Sequence, residues 1–311
     1  MKKSAIARIV IWSVVAVVLT GILIGTLIFR ENPNAPIIFG EEQGYKYESA
    51  DEYTVGSSKL PAESFTSISV DWISGNVFVL AYDGDTVKIE EASHDDIEEE
   101  YALRWRVKEN TLYIKPCKST NSWNLANKIP EKDLFVYVPE ALAVTMNRIK
   151  VDTASACISV TGITANEIDT TTASGDTWLE KCDAIDINIE NVSGYVNLTE
   201  TNAEIIDAET VSGNVEIVGT VNELSAESVS GTVLLCTDEA PSSADISTVS
   251  GEIKFELPEN DGFCIDFDSV SGKVTSEFPL IISNGKQVYG NGERQFDFET
   301  VSGNAYVEMK E

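Results

Sequence analysis

The chain has 311 residues, with 22 Lys+Arg, 51 Asp+Glu, one His and five Cys, for a formal charge of −29. That balance excludes a general nucleic-acid binder, because phosphate recognition needs a basic face, and a single His removes His-rich metal sites and most triad chemistry. A hydrophobic content of 43% supplies a core and argues against wholesale disorder.

The first element is Ile9 to Phe29, IVIWSVVAVVLTGILIGTLIF, which carries no charge. At about 1.5 Å per residue it reaches roughly 32 Å, enough for a hydrocarbon core of about 30 Å. Lys2, Lys3 and Arg8 precede it and Arg30 follows. This predicts a single-pass membrane anchor over 1–30, with the amino terminus cytoplasmic and the rest extracellular. A cleaved signal peptide is the alternative; the apolar run is longer than a usual h-region, and no A-x-A-like site follows. Residues 1–30 hold four of the basic residues and no acid, so the remainder stands at −33. Segment 31–64, rich in Pro, Gly, Ser and Glu, reads as an extracellular tether.

A Ser-Gly dipeptide then recurs at Ser74-Gly75, Ser174-Gly175, Ser193-Gly194, Ser212-Gly213, Ser230-Gly231, Ser250-Gly251, Ser271-Gly272 and Ser302-Gly303, with a degenerate copy at Ser155-Ala156. From Ser155 the spacings are 19, 19, 19, 18, 20, 21 and 31. Four and six residues before the Ser stand apolar residues such as Ile187 and Ile189. Three and five after it stand others such as Val196 and Leu198. Apolar parity is therefore even before the Ser and odd after it, so one straight strand cannot bury both sets. Each unit reads as two short strands with a turn at Ser-Gly, where Gly is expected to supply positive φ and the Ser hydroxyl a local hydrogen bond. One coil per copy, stacked at about 4.8 Å, gives an all-β parallel β-solenoid (β-helix) of about 19-residue coils. An antiparallel β-sandwich is the competing architecture.

Between Ser74 and Ser155 the stretches Thr86–Glu91, Leu103–Val107, Thr111–Lys115 and Asp133–Val138 read as strands. Residues 65–150 are therefore assigned to a β-rich amino-terminal cap or first solenoid part, and 151–311 to the repeats. His94–Tyr101 reads as an exposed acidic loop or one short helix. The 31-residue gap before Ser302, with Gly290-Asn291-Gly292 as a tight turn, reads as a hairpin before a final coil that closes the carboxyl end. Cys117, Cys157, Cys182, Cys236 and Cys264 share no register and no C-x-x-C, which suits buried free thiols. Trp105 and Trp123 lie off the repeat columns, where core packing and a carbohydrate-stacking platform are the two readings.

The repeated T-V-S-G-N-V and the ending GKQVYGNGERQFDFETVSGNAYVEM resemble the bacterial putative-adhesin family of β-solenoid proteins with a V-S-G-x-V repeat, from about Phe65 to Glu311. Some relatives are Lia-type envelope-stress proteins. The resemblance implies a solenoid and a surface role, and it carries no catalytic motif. Ser155-Ala156 and the long insertion after Ser271 depart from the pattern.

No catalytic, cofactor or metal constellation emerges from the sequence. The one S-x-x-K match, Ser283 to Lys286, has no S-D-N or K-T-G partner motif, and the repeated Ser is structural by its register. The expectation is a non-enzymatic, membrane-anchored cell-surface interaction protein, its partner a surface protein or wall polymer. Two alternatives stand beside it. One is an envelope-stress component that senses or sequesters cationic peptides or divalent cations. The other is a polysaccharide-acting β-helix enzyme, which rests on fold analogy alone.

Overall fold

The computed structural model describes residues 45–120 and 129–310. The expected anchor over 1–30, the first part of the expected tether and Trp123 lie outside the described residues. Among the described residues no helix is long and apolar enough to cross a membrane.

The fold is all-β, and the serine columns become hydrogen-bonded rungs. The strands are, in chain order, β1 (Thr54–Val55), β2 (Ser58–Pro61), β3 (Ser67–Tyr82), β4 (Thr86–Ala92), β5 (Arg104–Lys108), β6 (Thr111–Lys115), β7 (Asp133–Pro139), β8 (Met146–Thr161), β9 (Thr164–Ser174), β10 (Thr177–Glu180), β11 (Asp183–Ser193) and β12 (Val196–Ser212). They continue with β13 (Val215–Ser228), β14 (Val233–Cys236), β15 (Ser243–Thr248), β16 (Ile253–Leu257), β17 (Gly262–Ser269), β18 (Val274–Ser276), β19 (Ile281–Ser283), β20 (Lys286–Gly290), β21 (Arg294–Thr300) and β22 (Ala305–Met309). Successive rungs pair in parallel with each motif serine level with the next, as in Ser174↔Ser193↔Ser212. The Ser74 copy stacks directly on the Ser155 copy although 81 residues separate them. Residues before and after each Ser form two ladders that share one continuous core, including Ile187, Ile189, Val196 and Leu198. The parity switch is visible in β8, where Val151 and Thr153 are buried and then Ala156, Ile158 and Val160.

Residues 65–150 form one end of the stack, beside the Ser155 rung. β6 pairs with the first half of β3 and β7 with its second half, both in parallel, so together they make a rung without Ser-Gly. β5 and then β1 extend one ladder in antiparallel fashion, and β4 and then β2 extend the other. The boundary at 150 falls inside β8, so cap and repeats share one core rather than forming separate units.

Three expectations need correction. The tether does not reach 64: Tyr45, Tyr47 and Tyr53 are buried with Cys117 against the cap, and β1 and β2 pair within it. The aromatic side chains spaced through an otherwise polar stretch provide that packing.

The Ser302 coil does not close the end. β21 lies between β15 and β17, and β22 between β16 and β18, so this last coil in sequence is intercalated and the Ser271 coil is terminal. The 31-residue spacing supplies the connection, through the β19–β20 hairpin, for the chain to double back.

The motif glycines do not share a positive φ; only Gly75 (95°) and Gly194 (143°) have one. What they share is close approach. A β-carbon at Gly194, Gly213, Gly231, Gly251, Gly303 or Gly272 would collide with the carbonyl oxygen of the motif glycine one rung away, and at Gly175 with that of Ala156.

Candidate interaction surface

Two residues before the motif Ser most rungs place an inward-pointing polar side chain, whereas the Ser74 copy has Trp72 there. Thr153, Thr172, Asn191, Thr210, Ser228, Thr248 and Thr300 are all buried. Thr153 donates to the Ala156 carbonyl at 3.0 Å, Asn191 to the Gly175 carbonyl at 3.3 Å, and Gly303 N–H donates to Thr300 Oγ1 at 2.8 Å. The motif serines hydrogen-bond outside this column. Ser155, Ser193, Ser250, Ser271 and Ser302 each donate to the carbonyl of the residue preceding the motif position one rung away, at 3.1–3.4 Å. These bonds tie rung to rung, so the repeated Ser and Gly, including Ser174, Ser212 and Ser230, sit in a structural corner of the stack.

Function therefore has to be sought on the outward columns. Three residues before the Ser the outward positions are Asp71, Asp152, Thr171, Glu190, Glu209, Glu227, Ser247, Glu299 and Asp268 in stack order, and five before it stand Asp169, Asp207, Asp245, Asp297 and Asp266 among others. A β-ladder places neighbouring rungs about 4.8 Å apart, so these carboxylates form a dense acidic strip. Cations sit toward its two ends. Lys115 pairs with Asp71, Lys150 with Asp152 at 2.7 Å, Arg148 with Asp169 at 2.5 Å, and Lys286 with Asp266 at 2.9 Å. Among the described residues no ion pair reaches Glu190, Glu209 or Glu227.

The result is electrostatic crowding. Burial, then the charges of Glu227, Asp207 and Glu190, raises the Glu209 carboxyl to about 7. Burial and like charges also raise Glu190, Glu227, Asp297 and Glu299, and burial followed by Asp186 raises Asp207. Among the described residues no group of three His, Cys, Asp or Glu is gathered to hold a metal ion.

The opposite ladder is mixed. Phe78 stacks on Phe135 with centroids 4.9 Å apart, and Trp178, 44% exposed, leans on Tyr195 at 5.8 Å. Of the two readings for Trp105, core packing is the one observed: it lies opposite the buried Ile114 on β6 and packs against the core. Trp72 is buried and donates its indole N–H to the Lys132 carbonyl at 2.9 Å. An open groove of about 540 Å³ runs along one corner between Val144 and Ile185, floored by Met146, Ala165 and Asn166. His94, Asp95 and Asp96 are exposed, as expected of the acidic loop. All five cysteines are free, with Cys117, Cys182 and Cys264 buried. Burial raises the Cys117 thiol to about 12 and the Cys182 thiol to about 11, which suppresses thiolate chemistry.

Sequence reasoning counted the acids but not their columns. The signal was present: reading the odd offsets before each Ser, rather than the even ones, lines up Glu190, Glu209 and Glu227.

These features define an acidic, repeat-built, β-solenoid-like protein with two long outward-facing ladders. Residues 65–308 match the family described as Toastrack DUF4097, and the chain belongs to it. Among solved structures it is similar to a "putative adhesin" from Bacteroides fragilis (16% identity, 83% of this chain and 97% of that one, TM-score 0.45). It is also similar to a "putative lipid binding protein" from Parabacteroides distasonis (12%, 82% and 96%, TM-score 0.49) and a "putative cell adhesion protein" from Clostridium sporogenes (12%, 83% and 100%, TM-score 0.28). No curated protein matches the chain.

Proposed function

We propose that this is a non-enzymatic interaction protein of the bacterial cell surface, anchored through Ile9 to Phe29, whose acidic ladder receives a cationic partner. The observation that carries the reading is the run Glu190, Glu209, Glu227 on successive rungs, with no ion pair to any of them among the described residues. Such a strip holds a strong negative potential at low ionic strength and recruits cationic groups by long-range attraction. A cationic guest also relieves the crowding that lifts the Glu209 carboxyl. A wall polymer or surface protein bearing amines fits this face. The same feature supports a second reading, an envelope-stress component that sequesters cationic peptides.

The test is binding of the full-length protein, in neutral detergent, to isolated wall polymer and to a cationic peptide at about 0.05 M and about 0.15 M salt, where the Debye length falls to about 8 Å. Wall binding that persists at the higher salt supports the adhesive role; peptide binding alone, lost with salt, supports the second reading. The triple variant Glu190→Gln, Glu209→Gln, Glu227→Gln is expected to abolish binding. Undiminished binding by that variant sinks both.

A further inference from the structure

The two ends of the stack are finished differently. At the cap end both ladders are extended by antiparallel strands. At the other end the terminal rung is β17–β18, and β20 covers only Gly262–Ile265 of β17. Among the described residues no strand pairs with the outer edge of β17 beyond Ile265, with the outer edge of β18, or with the free edge of β19. Unpaired strand edges are templates for another strand.

This end also concentrates exposed aliphatic surface: Ile282 is 82% exposed, Ile281 65% and Val270 41%. It also carries little charge. Ser269 to Gly292 contain only Lys273, Glu277 and Lys286, a net of +1 in a molecule of −29.

We propose that this end docks a second copy of the chain, the two β19–β20 hairpins pairing through β19 in antiparallel fashion across a two-fold axis. Each argument narrows the partner. Free backbone donors and acceptors select a polypeptide edge over a sugar or lipid. Copies of an acidic chain repel through the carboxylate ladder, whose Asp266 and Asp268 reach the terminal rung, and least through the β19–β20 hairpin, where Lys286 is the one charged residue. An isologous contact presents each edge to its own copy, so the self-complementary solution closes at two. Pairing also buries Ile281 and Ile282 and hydrogen-bonds the β19 edge. The proposal is independent of the cationic partner, which meets the ladder and not the end.

The test is light scattering of the full-length protein in neutral detergent from about 1 to about 100 µM, the range in which a modest interface populates a dimer. The expected result is a mass that doubles with concentration. The transition moves to lower concentration as salt is raised to about 0.5 M, because screening removes the repulsion between the remaining acidic faces. Cationic-partner binding responds to salt in the opposite sense, so the two readings fail separately. Ile282→Lys is expected to weaken the dimer at least tenfold. At 82% exposure its side chain contributes little to the fold, so the variant's thermal melting is expected to match wild type. Ile185→Lys, in the corner groove, is expected to leave the dimer intact. A single mass at all concentrations overturns the proposal, as does a dimer equally sensitive to both variants or to neither.

Discussion

Thr248 and Thr300, 52 residues apart in the chain, share a 3.0 Å hydrogen bond between their buried hydroxyls. The bond exists because the Ser302 coil is slotted beside the Ser250 coil rather than after the Ser271 coil. Thr248 also lies 3.0 Å from the Gly251 carbonyl, and Thr300 accepts from the Gly303 N–H. Thr300→Val is therefore expected to strand buried groups and cost about 1–3 kcal/mol, read as a fall of a few degrees in melting temperature. The double variant Thr248→Val, Thr300→Val is expected to cost less than the sum of the two singles, since each removes the other's partner. Strict additivity in thermal melts would show that the two hydroxyls do not meet.

The glycine column makes a sharper prediction. A β-carbon at Gly251 overlaps the Gly231 carbonyl, which is backbone and part of the neighbouring rung. Relief requires rungs to separate, so Gly251→Ala is expected to cost about 3 kcal/mol or more. Gly285, in the β19–β20 turn, has open space around its α-carbon and a φ of 85°. Gly285→Ala thus meets only local backbone strain, about 1 kcal/mol. Denaturant unfolding of the two variants separates crowding from conformational freedom; equal losses would contradict the close-approach account.

Most of the stack was legible in the sequence because one dipeptide marked the register. Once Ser155 to Ser302 were aligned, the even columns before the Ser and the odd ones after it named the core, and Ile187, Ile189, Val196 and Leu198 are buried as read. What eluded the sequence depends on neighbours across rungs. The need for Gly was traced to backbone freedom, whereas it arises from a carbonyl on an adjacent coil. The place of the Ser302 coil cannot follow from spacing, because parallel rungs with matching columns are interchangeable in register. Phe267 and Phe298 occupy the same column, and only pairing shows which lies inside. The acidic strip was hidden for a simpler reason: net charge gives no column, and half-buried carboxylates read as ordinary surface.

In the cap, Lys132 is buried, pairs with Glu91 at 2.5 Å, and lies 4.9 Å from the Trp72 ring centroid. Burial lowers its ammonium, while Glu91 opposes that change. Both Glu91 oxygens also accept from the Leu103 N–H, at 2.9 and 3.0 Å, so the carboxylate fixes the start of β5. Lys132→Met leaves that carboxylate buried without its counter-charge and is expected to cost about 3–5 kcal/mol. Adding Glu91→Gln to it is expected to restore part of the loss, because a neutral amide needs no counter-charge. Chemical denaturation of both variants checks this, and a double variant less stable than the single one would refute the pairing.

Glu209 gives the acidic strip a measurable signature. Its carboxyl is raised to about 7 in the folded protein, by burial first and then by Glu227, Asp207 and Glu190. A raised carboxylate binds more protons folded than unfolded, so its effect on stability turns unfavourable as pH climbs from the unfolded value, about 4.3, through about 7. The side chain is only partly buried, and solvent screening reduces its share to about 1 kcal/mol. Glu209→Gln removes that titration. It is expected to raise the melting temperature by a few degrees at pH 8 and to leave it nearly unchanged at pH 4. Glu190→Gln is expected to act in the same direction, because its carboxyl is raised as well. Added salt is expected to shrink the pH 8 gain by screening the repulsion among Glu190, Glu209 and Glu227. Melting curves across pH 4 to 8 for wild type and Glu209→Gln decide the matter, and a gain of equal size at both extremes would place the origin of the effect in packing instead of charge.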